Sequence, residues 1–223
     1  MHSKLLNEIK AWQESGSPQQ EGLNWTRTRS HWLETFPNHS EFLLSLPENI
    51  DRSCLRSICS TQGILEIEKF LAVMVWGYSN LGYGTYRVLN MVNTENSISN
   101  LEVASEFSRR HNPKSAYDYL MNNRLSMLGP SYASKYISFS TPRETSAPIL
   151  DSLILLWIHK YAQKDFMGLS TSKMSWSLST YSFYCDWIES HAHASNCFPD
   201  EVELVLFRLA ELEFSKTSIW AKK

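Results

Sequence analysis

Apolar side chains recur at helical spacing over much of this chain and predict a protein built of helices. Residues 3 to 14 form a short amphipathic pattern that stops at the breaker cluster Ser15-Gly16-Ser17-Pro18. From 19 to 60 the pattern is irregular, with Trp25, Trp32, Phe36, Phe42, Leu43 and Leu46 scattered around Pro37 and Pro47. A helix or two and a wrapping arm are expected there, with room for strand. Over residues 64 to 76, Ile64, Ile67, Phe70, Leu71, Met74 and Val75 share one stripe, the first strong helix, expected to end at Gly77. The run Gly77-Tyr78-Ser79-Asn80-Leu81-Gly82-Tyr83-Gly84 is too rich in glycine for a helix interior and too aromatic for a mere linker. An ordered turn is expected.

Helices are predicted next from Thr85 to Met91 and from Leu101 to Phe107 towards Arg110, and Pro113 suits the first turn of another that carries Tyr117, Leu120 and Met121. Met127-Leu128-Gly129-Pro130 is a turn that leads into a short helix bearing Lys135. A loop from Thr141 to Pro148 separates that helix from the apolar run Ile149 to Ile158. After the serine-rich stretch 170 to 179, Tyr181, Phe183, Tyr184, Trp187 and Ile188 give an aromatic-faced helix, and Pro199 opens the last long one. The expected fold is all-α, with eight to ten elements. Residues 1–60 supply an N-terminal helix and arm, and 61–223 the main helical domain, the whole forming one compact unit with two lobes.

Composition narrows this picture. With 223 residues, 43% of them hydrophobic, the chain closes a core without staples. Cys54, Cys59, Cys185 and Cys197 form no C-x-x-C pair, and His191-Ala192-His193 with Cys197 lacks a clear fourth ligand, so no metal and no cofactor is expected. The N-terminus does not resemble a secretory signal and the longest apolar runs are too short for a bilayer, which predicts a cytoplasmic protein with no membrane. The net charge of -2 supplies no global attraction for nucleic acid. Residues 101–150 carry six basic side chains against four acidic ones, a small local excess.

Lys135 follows a Gly-Pro turn, and Asp151 opens an apolar segment after a second, proline-bearing loop. Taken singly, each has an ordinary explanation: a surface lysine, and an aspartate that caps the helix beginning at Ser152. Together the segment resembles the active-site region of the helix-hairpin-helix DNA glycosylase superfamily, in particular its 8-oxoguanine DNA glycosylase branch. Leu128-Gly129-Pro130-Ser131-Tyr132-Ala133-Ser134-Lys135 occupies the hairpin position and Pro148-Ile149-Leu150-Asp151 matches the proline-hydrophobic-aspartate signature. The resemblance extends over roughly residues 64 to 160.

It implies a lysine nucleophile at Lys135 that forms a Schiff base with the sugar, and an acidic partner at Asp151 that stabilises charge developing there. It also implies a duplex DNA partner from which a modified purine is flipped. Asn80 matches the asparagine that fills the gap left by the extruded nucleotide, and Arg87 the arginine that contacts the orphan base. Tyr78, Tyr132 and Phe207 are candidates for substrate contact, and Gly129, Ser131, Ala133 and Ser134 for the DNA backbone. The family places glycines two and four residues before the lysine; this chain has Ala133 and Ser131. Short bacterial relatives of this kind occur in anti-phage defence loci, which implies protein partners from a defence operon. Two other classes stay open: a non-catalytic nucleic-acid or protein interaction module, and an enzyme acting on another modified nucleoside-containing substrate in such a system.

Overall fold

The computed structural model describes residues 2–79, 81–166, 169 and 177–214, and helices dominate it. In chain order these are α1 (Ser3–Glu14), the short strand β1 (Leu23–Asn24), α2 (Arg29–Thr35), α3 (Ser40–Ser45), strand β2 (Asn49–Ile50), α4 (Arg52–Ser60), α5 (Glu66–Tyr78), α6 (Gly84–Val92), α7 (Ser97–Arg109), α8 (Pro113–Asn122), α9 (Pro130–Ser140), α10 (Ser152–Trp157), α11 (Leu178–Ser195) and α12 (Pro199–Phe214). A 3-10 turn, Pro37–His39, joins α2 to α3, and a π-helical turn, Ile158–Ala162, prolongs α10. The expected all-α class is what forms. The one sheet among the described residues is an antiparallel pair in which Leu23 faces Ile50 and Asn24 faces Asn49.

The chain divides into two compact units: residues 20–142, and residues 1–19 together with 143–223. In the first unit α5 lies against α4, α6, α7 and α9. Phe70, Leu71, Ala72, Val73, Met74 and Val75 are all fully buried, so this helix is apolar around its whole circumference and forms the axis of its unit. In the second unit α12 packs on α1, α10 and α11. Leu5 and Ile9 of α1, Ile188 of α11 and Val202 and Leu206 of α12 are all sealed from solvent.

One boundary departs from the periodic pattern, and another, at Asp151, falls where the cap was expected. Helix α5 does not stop at Gly77 but runs through it to Tyr78. The apolar run that starts at Ile149 becomes helix only at Ser152, because the Asp151 side chain accepts the Ile154 amide and so caps the helix there. The strap before it is pinned on α11: Ser146 Oγ donates to the Cys185 carbonyl at 2.7 Å and the Tyr184 hydroxyl to the Ile149 carbonyl at 3.2 Å.

Candidate active site

The hairpin that carries Lys135 is built from α8, a turn and α9. Asn112 caps α8 by accepting the Ser115 amide at 3.2 Å, and Pro113 occupies its first position. The turn that follows is anchored from inside by Leu125 and Leu128, both buried. Met127 takes a positive φ of 61°, and its carbonyl accepts a bond of 3.0 Å from the guanidinium of Arg87. Gly129 is extended and precedes Pro130 at the first position of α9. A Cβ on Gly129 would meet nothing within 4 Å, so the entrance to this helix is open.

Of the predicted backbone contacts, Gly129 and Ser131 are half-buried, whereas the Ala133 and Ser134 side chains face inward. The Ala133 amide is taken by the Gly129 carbonyl at 3.0 Å. Proline brings no N–H, so the Ser131 amide is the first in the helix and has no intrahelical acceptor.

Lys135 lies one turn further in and is half-buried. Its Nζ donates to Ser131 Oγ at 3.1 Å and stands 5.4 Å from the centroid of the Tyr132 ring. That ring is stacked on Tyr78, with centroids 4.2 Å apart and planes 13° from parallel. Tyr78 is fully buried and meets Tyr83 edge to face. Burial pushes both phenols, Tyr78 and Tyr132, above their ordinary range, an effect opposed by the nearby Arg87 cation. Both rings therefore stand as neutral aromatic surface at physiological pH.

Two glycines make the stack possible. A Cβ on Gly77 would come within 3.1 Å of Tyr132 Cε1 and 3.4 Å of Lys135 Cδ, and one on Gly84 within 2.7 Å of Tyr78 Cβ. The pattern of the sequence missed both constraints. The available signal at Gly77 was a glycine inside an otherwise apolar helix, which marks close approach by another group, whereas Gly84, the first residue of α6, gave none. Ser79, at the end of α5, has a positive φ of 45°. It is held from two sides, with Oγ donating to the Asn24 carbonyl at 3.1 Å and its own carbonyl accepting from Thr28 Oγ1 at 2.9 Å. Asn80 lies outside the described residues.

The first unit thus brings together Tyr78, Arg87, Gly129, Ser131, Tyr132 and Lys135. Asp151 and Phe207 belong to the second. Asp151 is half-buried and its Oδ1 accepts the Ile154 amide at 3.0 Å. Phe207 lies half-buried on α12. Among the described residues no group of three histidine, cysteine or acidic side chains is placed to hold a metal ion.

Residues 17–207 match the model of a protein family described as "Putative 8-oxoguanine DNA glycosylase OGG-like protein". The chain belongs to this family. No curated protein and no solved structure matches it. The OGG-like match takes in Lys135, Asp151, Asn80 and Arg87, reaches Phe207, and leaves out α1 and the end of α12. Membership in the OGG-like family accords with the helical fold, and no described helix is long and apolar enough to cross a membrane.

Proposed function

We propose that this protein is a DNA N-glycosylase with an associated β-lyase activity, acting on an oxidised or otherwise modified purine in duplex DNA. The reading rests on one observation above others: family membership coincides with a lysine amine held half-buried between a serine hydroxyl and an aromatic face, one turn inside the helix that follows the hairpin turn. In the neutral state the Lys135 amine attacks the anomeric carbon while the bond to the base breaks, and the base departs with a proton. Ring opening protonates the sugar oxygen and leaves a Schiff base between Nζ and the former anomeric carbon. Loss of a proton from the adjacent carbon then expels the 3′-phosphate, and water releases the lysine.

Asp151 supports the positive charge that develops on the sugar and relays protons, as the acidic partner does in glycoside cleavage. Asn80 enters the space left by the flipped nucleotide, Arg87 faces the orphan base, and Tyr132 and Phe207 are candidates for base contact, with the fully buried Tyr78 backing Tyr132. Gly129 and Ser131 line the backbone contact, while Ala133 and Ser134 are turned into the core behind them. The net charge of -2 and the replacement of the hairpin glycines by Ser131 and Ala133 favour a second reading, a module that binds without chemistry.

Borohydride reduction in the presence of a duplex containing an oxidised guanine separates the two. The first reading expects a covalent protein–DNA adduct with the unaltered chain and none with Lys135→Ala, whose unfolding curve should stay close to that of the parent. Equal trapping by both proteins removes Lys135 as the nucleophile, and binding without trapping by either supports the module.

A further inference from the structure

Three residues before the lysine, between the two positions where the family places small glycines, this chain carries a tyrosine. The side chain is not an idle surface group. Tyr132 spans two helices: its ring is stacked on Tyr78 at 4.2 Å, its edge fills the space left by the missing side chain of Gly77, and its hydroxyl reaches the Gly77 carbonyl at 3.5 Å. The Lys135 methylene chain runs along the same gap, and its amine lies over the ring face. Because an aromatic ring has only two side-chain torsions and this one is clamped from below, it forms a rigid wall against a flexible four-carbon stem.

We propose that Tyr132 is a positioning residue for Lys135: the Tyr78–Tyr132 stack, seated in the gap at Gly77, fixes the direction in which the amine points. This deepens the glycosylase reading and depends on it. Attack on a sugar carbon demands reacting atoms about 3 to 3.5 Å apart and aligned, and a displacement of about 1 Å costs on the order of 100-fold in rate. The lysine has three methylene torsions to lose, so an adjacent wall lowers the entropy of reaching that geometry.

Gly77 provides the decisive variant. Alanine is a better helix residue than glycine, and Gly77 lies in the last turn of α5, so Gly77→Ala should leave the unfolding temperature close to that of the parent. Its new methyl group, however, presses on the edge of Tyr132 and on the lysine stem. Loss of rate without loss of stability is the signature of positioning.

The experiment has two arms. In the first, which needs no substrate, the Lys135 side-chain methylene resonances are assigned by NMR in the unaltered protein, Tyr132→Leu, Tyr132→Phe and Gly77→Ala. We expect ring-current displacement in the unaltered chain, retention in Tyr132→Phe, loss in Tyr132→Leu and an altered value in Gly77→Ala. In the second arm, single-turnover adduct formation is measured on the oxidised-guanine duplex under saturating protein, beside the Kd for the same duplex.

Gly77→Ala should form adduct roughly 10- to 100-fold more slowly with little change in Kd, Tyr132→Leu should slow it at least as much, and Tyr132→Phe should restore the rate. Absence of the ring-current displacement in the unaltered protein overturns the proposal, as does wild-type adduct formation by Tyr132→Leu. If the unaltered protein forms no adduct although the displacement is present, the glycosylase reading has failed, and the role assigned to Tyr132 falls with it.

Discussion

Tyr136 donates its hydroxyl to Glu66 Oε1 at 2.6 Å, and this bond ties α9, the helix that carries Lys135, to the start of α5, the helix that carries Gly77. The other carboxylate oxygen faces Lys69 at 3.7 Å and Arg109 at 3.1 Å, so α7 joins the same cluster. Burial, reinforced by the carboxylate, holds the Tyr136 phenol far above its ordinary pKa, and it remains a donor throughout the usual pH range. Lys69 is only 7% exposed, which makes the pair a buried one.

Removing the carboxylate should therefore hurt more than removing the phenol. Glu66→Ala leaves a buried ammonium uncompensated and is expected to cost about 3–5 kcal/mol. Tyr136→Phe leaves one acceptor short of a donor and should cost about 1–3 kcal/mol. Urea unfolding of the two variants with an unchanged denaturant slope is the check, and a smaller loss for Glu66→Ala would mean that Lys69 is held by something else.

Asp151 has two separable tasks, the cap observed in the structure and the chemistry proposed for it. Asparagine still accepts the Ile154 amide, so Asp151→Asn should keep most of the stability, whereas Asp151→Ala should lose about 0.5–2 kcal/mol. Base excision by Asp151→Asn should nevertheless fall by about two orders of magnitude while DNA binding persists. Excision at the parental rate by the asparagine variant would leave Asp151 as a cap and nothing more.

Asn80→Ala tests insertion into the duplex. Only a duplex imposes an unstacking cost that an inserted side chain can offset, so affinity for a lesion-containing duplex should weaken roughly tenfold while single-strand affinity changes little. Titrations on both forms decide it. Equal losses on the two would remove Asn80 from the gap left by the flipped nucleotide.

A pH response comes from the second unit. His191 is sealed from solvent, its Nδ1–H donates to the Trp187 carbonyl at 2.7 Å, and its Nε2 accepts the backbone N–H of His2 at 2.8 Å. Burial holds the imidazole below its ordinary pKa; the Trp187 carbonyl and Asp165 pull it up, and the neighbouring His2 pushes it down. The folded chain thus favours neutral His191, and the stability this gives is complete above the ordinary histidine value of about 6.5 and is lost as pH falls through the depressed one. Denaturant midpoints should drop between pH 7.5 and 5, and His191→Gln should flatten that drop. Parallel losses in the two proteins would assign the pH dependence to other groups.

Where apolar periodicity was strong, the helices were legible: residues 3–14, the segment after Pro113 and the one opened by Pro199 form as expected. Residues 19–60 were not, because α2, α3 and α4 are too short to establish a period and two strands of two residues each have none. Gly77 was read as a terminator since its intrinsic helix propensity is poor; packing against Tyr132 and Lys135 overrides that preference. The cap at Asp151 was legible from its place before Ser152, whereas Lys135 stands out only through the resemblance of its hairpin to the glycosylase family. The tyrosine stack was not legible, because Tyr78 and Tyr132 lie 54 positions apart and no local pattern links them. The family resemblance gives Ser131 a DNA-backbone contact, and its hydrogen bond to the lysine amine emerges only when the helix is built.

The unit that contains α1 is assembled from both ends of the described chain, with the continuous stretch 20–142 interposed. On the ribosome, α1 emerges before the other described elements, yet α11 and α12, the helices it packs against, are among the last of them to be made. Residues 20–142 can close their own core around α5 during that interval, since every strand and helix they need is already synthesised. The amphipathic first helix meanwhile waits with Leu5, Ile9 and Trp12 uncovered. A nascent chain stalled once residue 142 has cleared the ribosomal exit would hold one finished unit and one orphan helix, the state in which a chaperone has an apolar stripe to grip.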